Sequence, residues 1–290
     1  MSIPISYSRC CAWLCFFAYC GATWAGPQTE AQGLRQSYLS MEEALSHSPL
    51  KRPLLLQSQE AAEHLSGDLY ASVEYGIAAL DAATGNTERW CEIMLLLSNT
   101  KACKTSANQK DSLWVSVSSS KGADTTGATT TEFELDANAV HGEYLDNGIS
   151  AKDGPLGTQD IRMRLQAVAL SPKRSFLHLH YSYNTHWLGR LAMQAYLQTL
   201  GRGKVGFSQT AGADTSPAEL IGGPRSVIER NTMRYFLGLD CALSTAATEG
   251  APRFNSMVGC WYDRIEQYPL QLHEMPRGEY LQMKASQYQR

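Results

Sequence analysis

The stretch Ile161-Arg162-Met163-Arg164-Leu165-Gln166-Ala167-Val168-Ala169, answered after Ser171-Pro172-Lys173 by Leu177-His178-Leu179-His180-Tyr181-Ser182-Tyr183, decides how this chain reads. Apolar side chains fall on alternate residues of both segments, the period of a strand with one buried face. The turn residues between them make the pair a hairpin. An even-length loop would set His178 and His180 against the apolar side of the first strand, whereas an odd loop or a bulge gathers the apolar residues together. A one-residue slip turns every side chain over, so the odd register is expected. It gives an apolar face with two tyrosines and an outer face carrying Arg162, Arg164, His178 and His180.

Outward from the hairpin the pattern is mixed. Leu69, Ala71, Val73 and Tyr75 alternate with polar residues and form an earlier strand. Ile77 to about Leu97 reads as two short helices, because Gly85-Asn86 interrupts it. Leu113, Val115 and Val117, then Phe133 and Leu135, form strands on either side of a Gly/Thr/Ala-rich turn at Lys121 to Thr131, and Val140 to Ala151 adds another. Strands then follow one another without intervening helices, which favours an antiparallel sheet in an α+β chain. After the hairpin, Trp187, Leu188, Leu191, Ala192, Ala195 and Thr199 have helical spacing, with Gly201 to Gly203 as a stop. Lys204 to Gln209 and Ala218 to Ile221 flank a polar turn as a small hairpin. Gly222-Gly223-Pro224 opens a long helix on which Ile228, Thr232, Tyr235, Phe236, Leu239 and Leu243 share a face. A helix around Phe254 to Tyr268 and a polar terminal helix from Pro276 close the chain.

Met1 to Arg9 carry one positive charge, and the apolar run Cys10 to Tyr19 has the length of a signal-peptide core and is too short to span a bilayer. Residues 1–25 are therefore expected to be an export signal, which places the mature chain in the periplasm or outside the cell, with a lipid anchor at Cys20 disfavoured by the bulky Tyr19. Residues 26–52 read as a polar surface arm with a short helical signal around Leu34 to Leu45, and 53–290 as the folded domain with extra helices at its C-terminal end. Arg9 is the only charge in the first 25 residues, so 24 basic and 28 acidic residues remain, a balance that favours neither nucleic acid nor an anionic membrane. An apolar content of 43% is enough for a sizeable core.

Four of the eight cysteines lie in the signal, leaving Cys91, Cys103, Cys241 and Cys260 in an oxidising compartment. Three pairings are open to them. Cys91 with Cys103 and Cys241 with Cys260 is preferred, because each pair closes a short loop worth about 3 kcal/mol. A four-thiolate zinc site would need close C-x2-C pairs, which are absent.

No catalytic constellation stands out: there is no Gly-x-Ser-x-Gly, no plausible cysteine-histidine pair and no Ser-x-x-Lys at a helix start. Gly201-Arg202-Gly203-Lys204 lacks the spacing of a phosphate-cradling loop and reads as a helix stop. His178 and His180, with His186 close behind, have the spacing of metal ligands, but arginines beside them favour a solvated strand face, so no metal or other cofactor is expected. Glu229, Arg230 and Arg234 on the long helix could orient a polar head, although charges at that spacing usually form a solvated face. The aromatic character of the inner face is more informative. Met163, Leu165, Leu179, Tyr181 and Tyr183 from the hairpin, Trp187 and Tyr196 from the next helix, and Thr232, Tyr235, Phe236 and Leu239 from the long helix are the expected ligand-binding residues. Aromatic stripes of this kind also fill solid cores.

The order strand, two helices, several antiparallel strands and a late long helix resembles the helix-grip fold of the START-like (SRPBCC, Bet v 1-like) superfamily. Trp90-Cys91-Glu92-Ile93 with Asn99-Thr100-Lys101-Ala102-Cys103, Gly201 to Phe207, and Glu229-Arg230-Asn231-Thr232-Met233-Arg234-Tyr235 resemble phrases of an exported bacterial branch. The resemblance implies a curved antiparallel sheet wrapped around a long helix, here Ser226 to Leu243, with an apolar cavity between them. It further implies binding or transfer of a lipid, sterol-like or polyketide-like molecule, with transient membrane contact allowed for and no catalytic residue to assign. Two alternatives remain: a cyclase or hydrolase using polar groups in the cavity, for which Arg164 or His180 would have to point inward, and a packed envelope domain that binds another protein.

Overall fold

The computed structural model describes residues 26–118, 125, 127–199, 201–210 and 219–288. The expected export signal and the tip of the small late hairpin lie outside the described residues, as does part of the Gly/Thr/Ala-rich turn.

Strands β7 (Thr158–Ser171) and β8 (Arg174–Thr185) form the hairpin. Ser171 pairs with Arg174 around the two-residue loop Pro172-Lys173, and a bulge between Ala169 and Ser171 then shifts the register by one. The bulge does what an odd loop would have done. Met163 faces Tyr181 and Leu165 faces Leu179 on the inner side, while Arg164 faces His180 and Gln166 faces His178 on the outer side.

The remaining strands are β1 (Leu54–Glu60), β2 (His64–Val73), β3 (Thr100–Ser106), β4 (Gln109–Val117), β5 (Thr129–His141) and β6 (Tyr144–Asp153). All pairings are antiparallel and the order is β1-β2-β8-β7-β6-β5-β4-β3. After β2 the chain crosses to the far edge through α2 (Ile77–Thr84) and α3 (Thr87–Leu95), then returns strand by strand until β8 closes against β2. The break between these helices is where the sequence puts it. Asn86 leaves the helical conformation and its side chain caps α3 by accepting from the Arg89 amide.

α4 (Trp187–Gln198) follows the hairpin, and α5 (Gly223–Ser244) is the long helix. α5 lies on the inner side of β1, β2 and β8, where Gly67 permits the approach: a Cβ there would stand 2.3 Å from Thr232 Oγ1. A long helix held against the inner face of an antiparallel sheet is the helix-grip arrangement. α6 (Gly250–Ile265), the short α7 (Pro269–Leu272) and α8 (Arg277–Tyr288) cover the other side of α5. The terminal helix is less polar in effect than in composition. Tyr280 is 1% exposed and Lys284 fully buried, its ammonium donating to the Leu97 and Thr100 carbonyls and to Gln287.

The disulfides are Cys91–Cys103, tying α3 to β3, and Cys241–Cys260, tying α5 to α6, with Cα atoms 5.4 and 5.8 Å apart. Such bonds persist in oxidising compartments. No helix among the described residues is long and apolar enough to cross a membrane.

The segment expected to be a polar arm is mostly α1 (Pro27–Ser46), longer than its helical signal at Leu34 to Leu45, and packs on the outer face of the sheet. Leu34, Tyr38, Met41 and Leu45 recur at helical spacing and meet Tyr144, Val168 and Phe176 in a second small core. Glu30 on its first turn accepts from Tyr144 Oη, Arg164 and Gln166.

Candidate ligand cavity

Beyond β1 and β2 the inner face of the sheet is not filled by α5. A cavity of about 520 Å³ lies there, walled by β4, β5, β7 and β8 on one side and by α4 and α5 on the other, with the end of α3 closing it. Strand periodicity places its apolar wall: Val115, Val117, Phe133, Ile161 and Met163 all point inward. From α4 come Gly189, Ala192, Met193 and Tyr196, and from α5 Val227, Asn231, Arg234 and Tyr235, each set spaced as one helical stripe.

Among the expected ligand residues, Met163, Tyr181, Tyr183, Tyr196 and Tyr235 line this space. Tyr181 and Tyr235 meet edge to face with ring centroids 5.0 Å apart. Burial pushes the Tyr235 hydroxyl up to about 12 and that of Tyr181 well above its ordinary value, so both stay neutral at physiological pH. Leu165 and Leu179 are buried farther along the hairpin, and Thr232, Phe236 and Leu239 belong to the solid packing of α5. Trp187 is 62% exposed. Gly189 turns α4 so that its own backbone rests on Gly157, which sends Trp187 and Leu191 to the opposite side.

One end of the cavity is charged, and the residues that make it so are mostly ones that periodicity alone does not single out. Glu274 accepts from Arg234 at 2.6 Å and from the Ser98 hydroxyl. Burial would raise its carboxyl, but Arg234 and Ser98 prevail and hold it below the usual range. Lys204 lines the same end and donates to the His273 carbonyl. The expectation of a solvated charged face on α5 is not met: Glu229, Arg230 and Arg234 are 0%, 1% and 7% exposed. Their register was hidden because α5 is covered on several sides at once. Glu229 accepts from Ser58 and from the Phe207 and Ser208 amides, so it anchors the first arm of the small hairpin expected at Lys204 to Gln209. Gly206 is required there, since a Cβ would stand 2.6 Å from the Glu229 carboxylate.

The outer face holds a separate cluster. Asp68 Oδ1 lies 2.8 Å from both His178 Nε2 and His180 Nδ1. An ionised carboxylate only accepts, so both rings donate to it. Tyr70 stacks on His178 with centroids 4.4 Å apart. These histidines are thus half-buried and bonded rather than solvated. The three residues form the group among the described residues whose ligand atoms, all within 4.8 Å of one another, could hold a metal ion. Burial alone would raise the Asp68 carboxyl, but the two histidine hydrogen bonds hold it far below the ordinary range. Arg164 is likewise on the outer face, bonded to Asp146 and Glu30. Arg164 and His180, on which a cyclase or hydrolase would have depended, both lie outside the cavity.

No protein-family model and no curated protein match the chain. Among solved structures, human StAR-related lipid transfer protein 5 is similar with a TM-score of 0.37 and 9% identity, over 76% of this chain and 100% of that one. A conserved protein of unknown function from Enterococcus faecalis has a TM-score of 0.32 and 7% identity, over 78% of this chain and 97% of its own.

Proposed function

We propose that this chain is exported to the periplasm or beyond and carries an apolar small molecule, of lipid, sterol-like or polyketide-like character, in its internal cavity without transforming it. The cavity is the observation that supports this. Its volume of about 520 Å³ falls in the range of small-molecule sites, and its wall combines apolar side chains with tyrosine, serine and threonine hydroxyls, two asparagines and one charged end. Removing an apolar guest from water into such a wall is favourable in proportion to the area buried, about 25 cal/mol per Å². The two disulfides suit the exported setting. Leu156, at the cavity rim and 72% exposed, with Trp187 and Leu191 on α4, offers apolar surface for transient contact with a lipid bilayer during loading.

Native mass spectrometry of protein purified from its own host is expected to show an added mass that organic extraction removes and a lipid extract restores. A bare apo mass with no uptake from the extract would exclude the carrier reading and favour a packed envelope domain.

A further inference from the structure

Resting on the reading that the cavity holds an apolar molecule, we infer that this guest is an amphiphile with an anionic oxyanion head, a carboxylate or phosphate, seated at the end walled by Arg234, Lys204 and Tyr196. The charge balance of that end carries the inference. Three cationic side chains, Arg230, Arg234 and Lys204, act on one partly buried carboxylate, Glu274. Glu266, the next acid, is turned to His273 at 2.8 Å. The protein thus leaves positive charge in excess at this end, where Arg230 and Arg234 are buried and an uncompensated charge is unfavourable.

The hydrogen bonding is incomplete in the same place. Arg230 donates from Nε to the Ser226 carbonyl and from one terminal nitrogen to Tyr196 Oη at 3.4 Å, and its other terminal nitrogen has no partner. Arg234 reaches Glu274 and Asn231, and its Nε has none. Two guanidinium groups one helical turn apart on a buried helix, each with a donor left unpaired, add to the uncompensated positive charge at this end, which an anion in the cavity would offset. Arg234, Lys204 and Tyr196 stand in the cavity wall, whereas Arg230 lies behind Tyr196, its guanidinium carbon 6.0 Å from the ring centroid. An oxyanion in the cavity would touch the first three and be stabilised by the fourth through the Tyr196 hydroxyl. The opposite, apolar wall takes the chain. Burial, followed by the neighbouring Arg234, lowers the Lys204 ammonium below its ordinary value, consistent with a cation short of counter-charge.

The test uses delipidated full-length protein and four twelve-carbon probes that differ only in the head: laurate, dodecyl phosphate, dodecanol and dodecyltrimethylammonium. By calorimetry the two anions are expected to bind at least about tenfold more tightly than the alcohol, with the cation weakest. Dodecanol binding as well as laurate overturns the head inference and leaves the cavity reading standing, whereas failure of all four probes removes both. Inorganic phosphate alone should displace laurate poorly, and displacement at equal concentration would mean a free-anion site. Arg234→Gln is expected to weaken laurate about tenfold and leave dodecanol unchanged. Lys204→Met, which breaks no ion pair with Glu274, gives the same reading should the first variant fold badly. Equal losses for laurate and dodecanol in Lys204→Met would overturn the proposal.

Discussion

At the scale of single residues, two positions show how closely the outer and inner faces are specified. Gly67 lies in β2 directly under α5, and only the absence of a Cβ lets Thr232 sit where it does. Gly67→Ala should destabilise the chain by about 1–3 kcal/mol through overpacking, and adding Thr232→Ala should restore most of that loss. Urea denaturation of both variants checks this, and no rescue in the double variant would mean that strand conformation, not contact with α5, is what Gly67 supplies. Asp68 makes the second case. Its folded carboxyl stays ionised at pH values where that of the unfolded chain has taken up a proton. Its contribution is therefore complete above the ordinary carboxylate range and disappears as pH falls through its own, lower value. Asp68→Asn should cost about 2 kcal/mol at pH 7, as expected for two charge-assisted hydrogen bonds, and the gap to wild type should close on acidification below pH ~4. A gap independent of pH would show that charge is not what Asp68 contributes.

At the scale of elements, α5 is the member everything else holds. Strands β1, β2 and β8 support it from one side, and α6 from the other through the Cys241–Cys260 bridge. Replacing both of these cysteines by serine should lower stability by about 3 kcal/mol, as expected for closing a loop of this size. Wild-type protein measured with reductant should lose this much plus the share of Cys91–Cys103. A double-serine variant that unfolds at the wild-type urea midpoint would show that helix packing alone fixes α6. α1 has the opposite character. Its stripe of Leu34, Tyr38, Met41 and Leu45 covers the outer face of the hairpin, which gives Tyr144, Val168 and Phe176 an apolar partner and leaves the polar residues between them bonded to Glu30.

At the scale of the whole molecule, the sheet is filled on one half and hollow on the other, and three exposed apolar side chains stand by the hollow half. Leu156 stands at the cavity rim, and Trp187 and Leu191 lie one helical turn apart on the outer side of α4. Trp187→Ser with Leu191→Ser should abolish association with neutral phospholipid vesicles in a flotation assay while leaving laurate affinity unchanged, because neither side chain lines the cavity. Vesicle binding equal to wild type would remove the membrane-contact role from α4.

The alternation in Ile161 to Ala169 and Leu177 to Tyr183 was sufficient by itself for the hairpin and its odd register, because exposing either apolar row to water is too unfavourable to compete. The two short helices broken at Asn86 and both disulfide pairings were legible for equally local reasons, a cap and short loops. β1 and β3 were not. They are edge strands of seven residues each, one opening on the unbroken apolar run Leu54-Leu55-Leu56 and the other interrupted by register shifts at Ala102 and Ser106, so neither displays a clean period of two in its sequence. The tyrosines of the cavity could be named from their strand and helix positions, but Lys204 and Glu274 come from connecting segments with no periodicity to mark them. Which stripe of α5 faces empty space, and that its arginines are buried, depended on the helix being covered on several sides at once. A repeat of 3.6 residues shows that a helix has a buried face, and only the packing of distant segments decides where that face meets another side chain and where it meets a cavity.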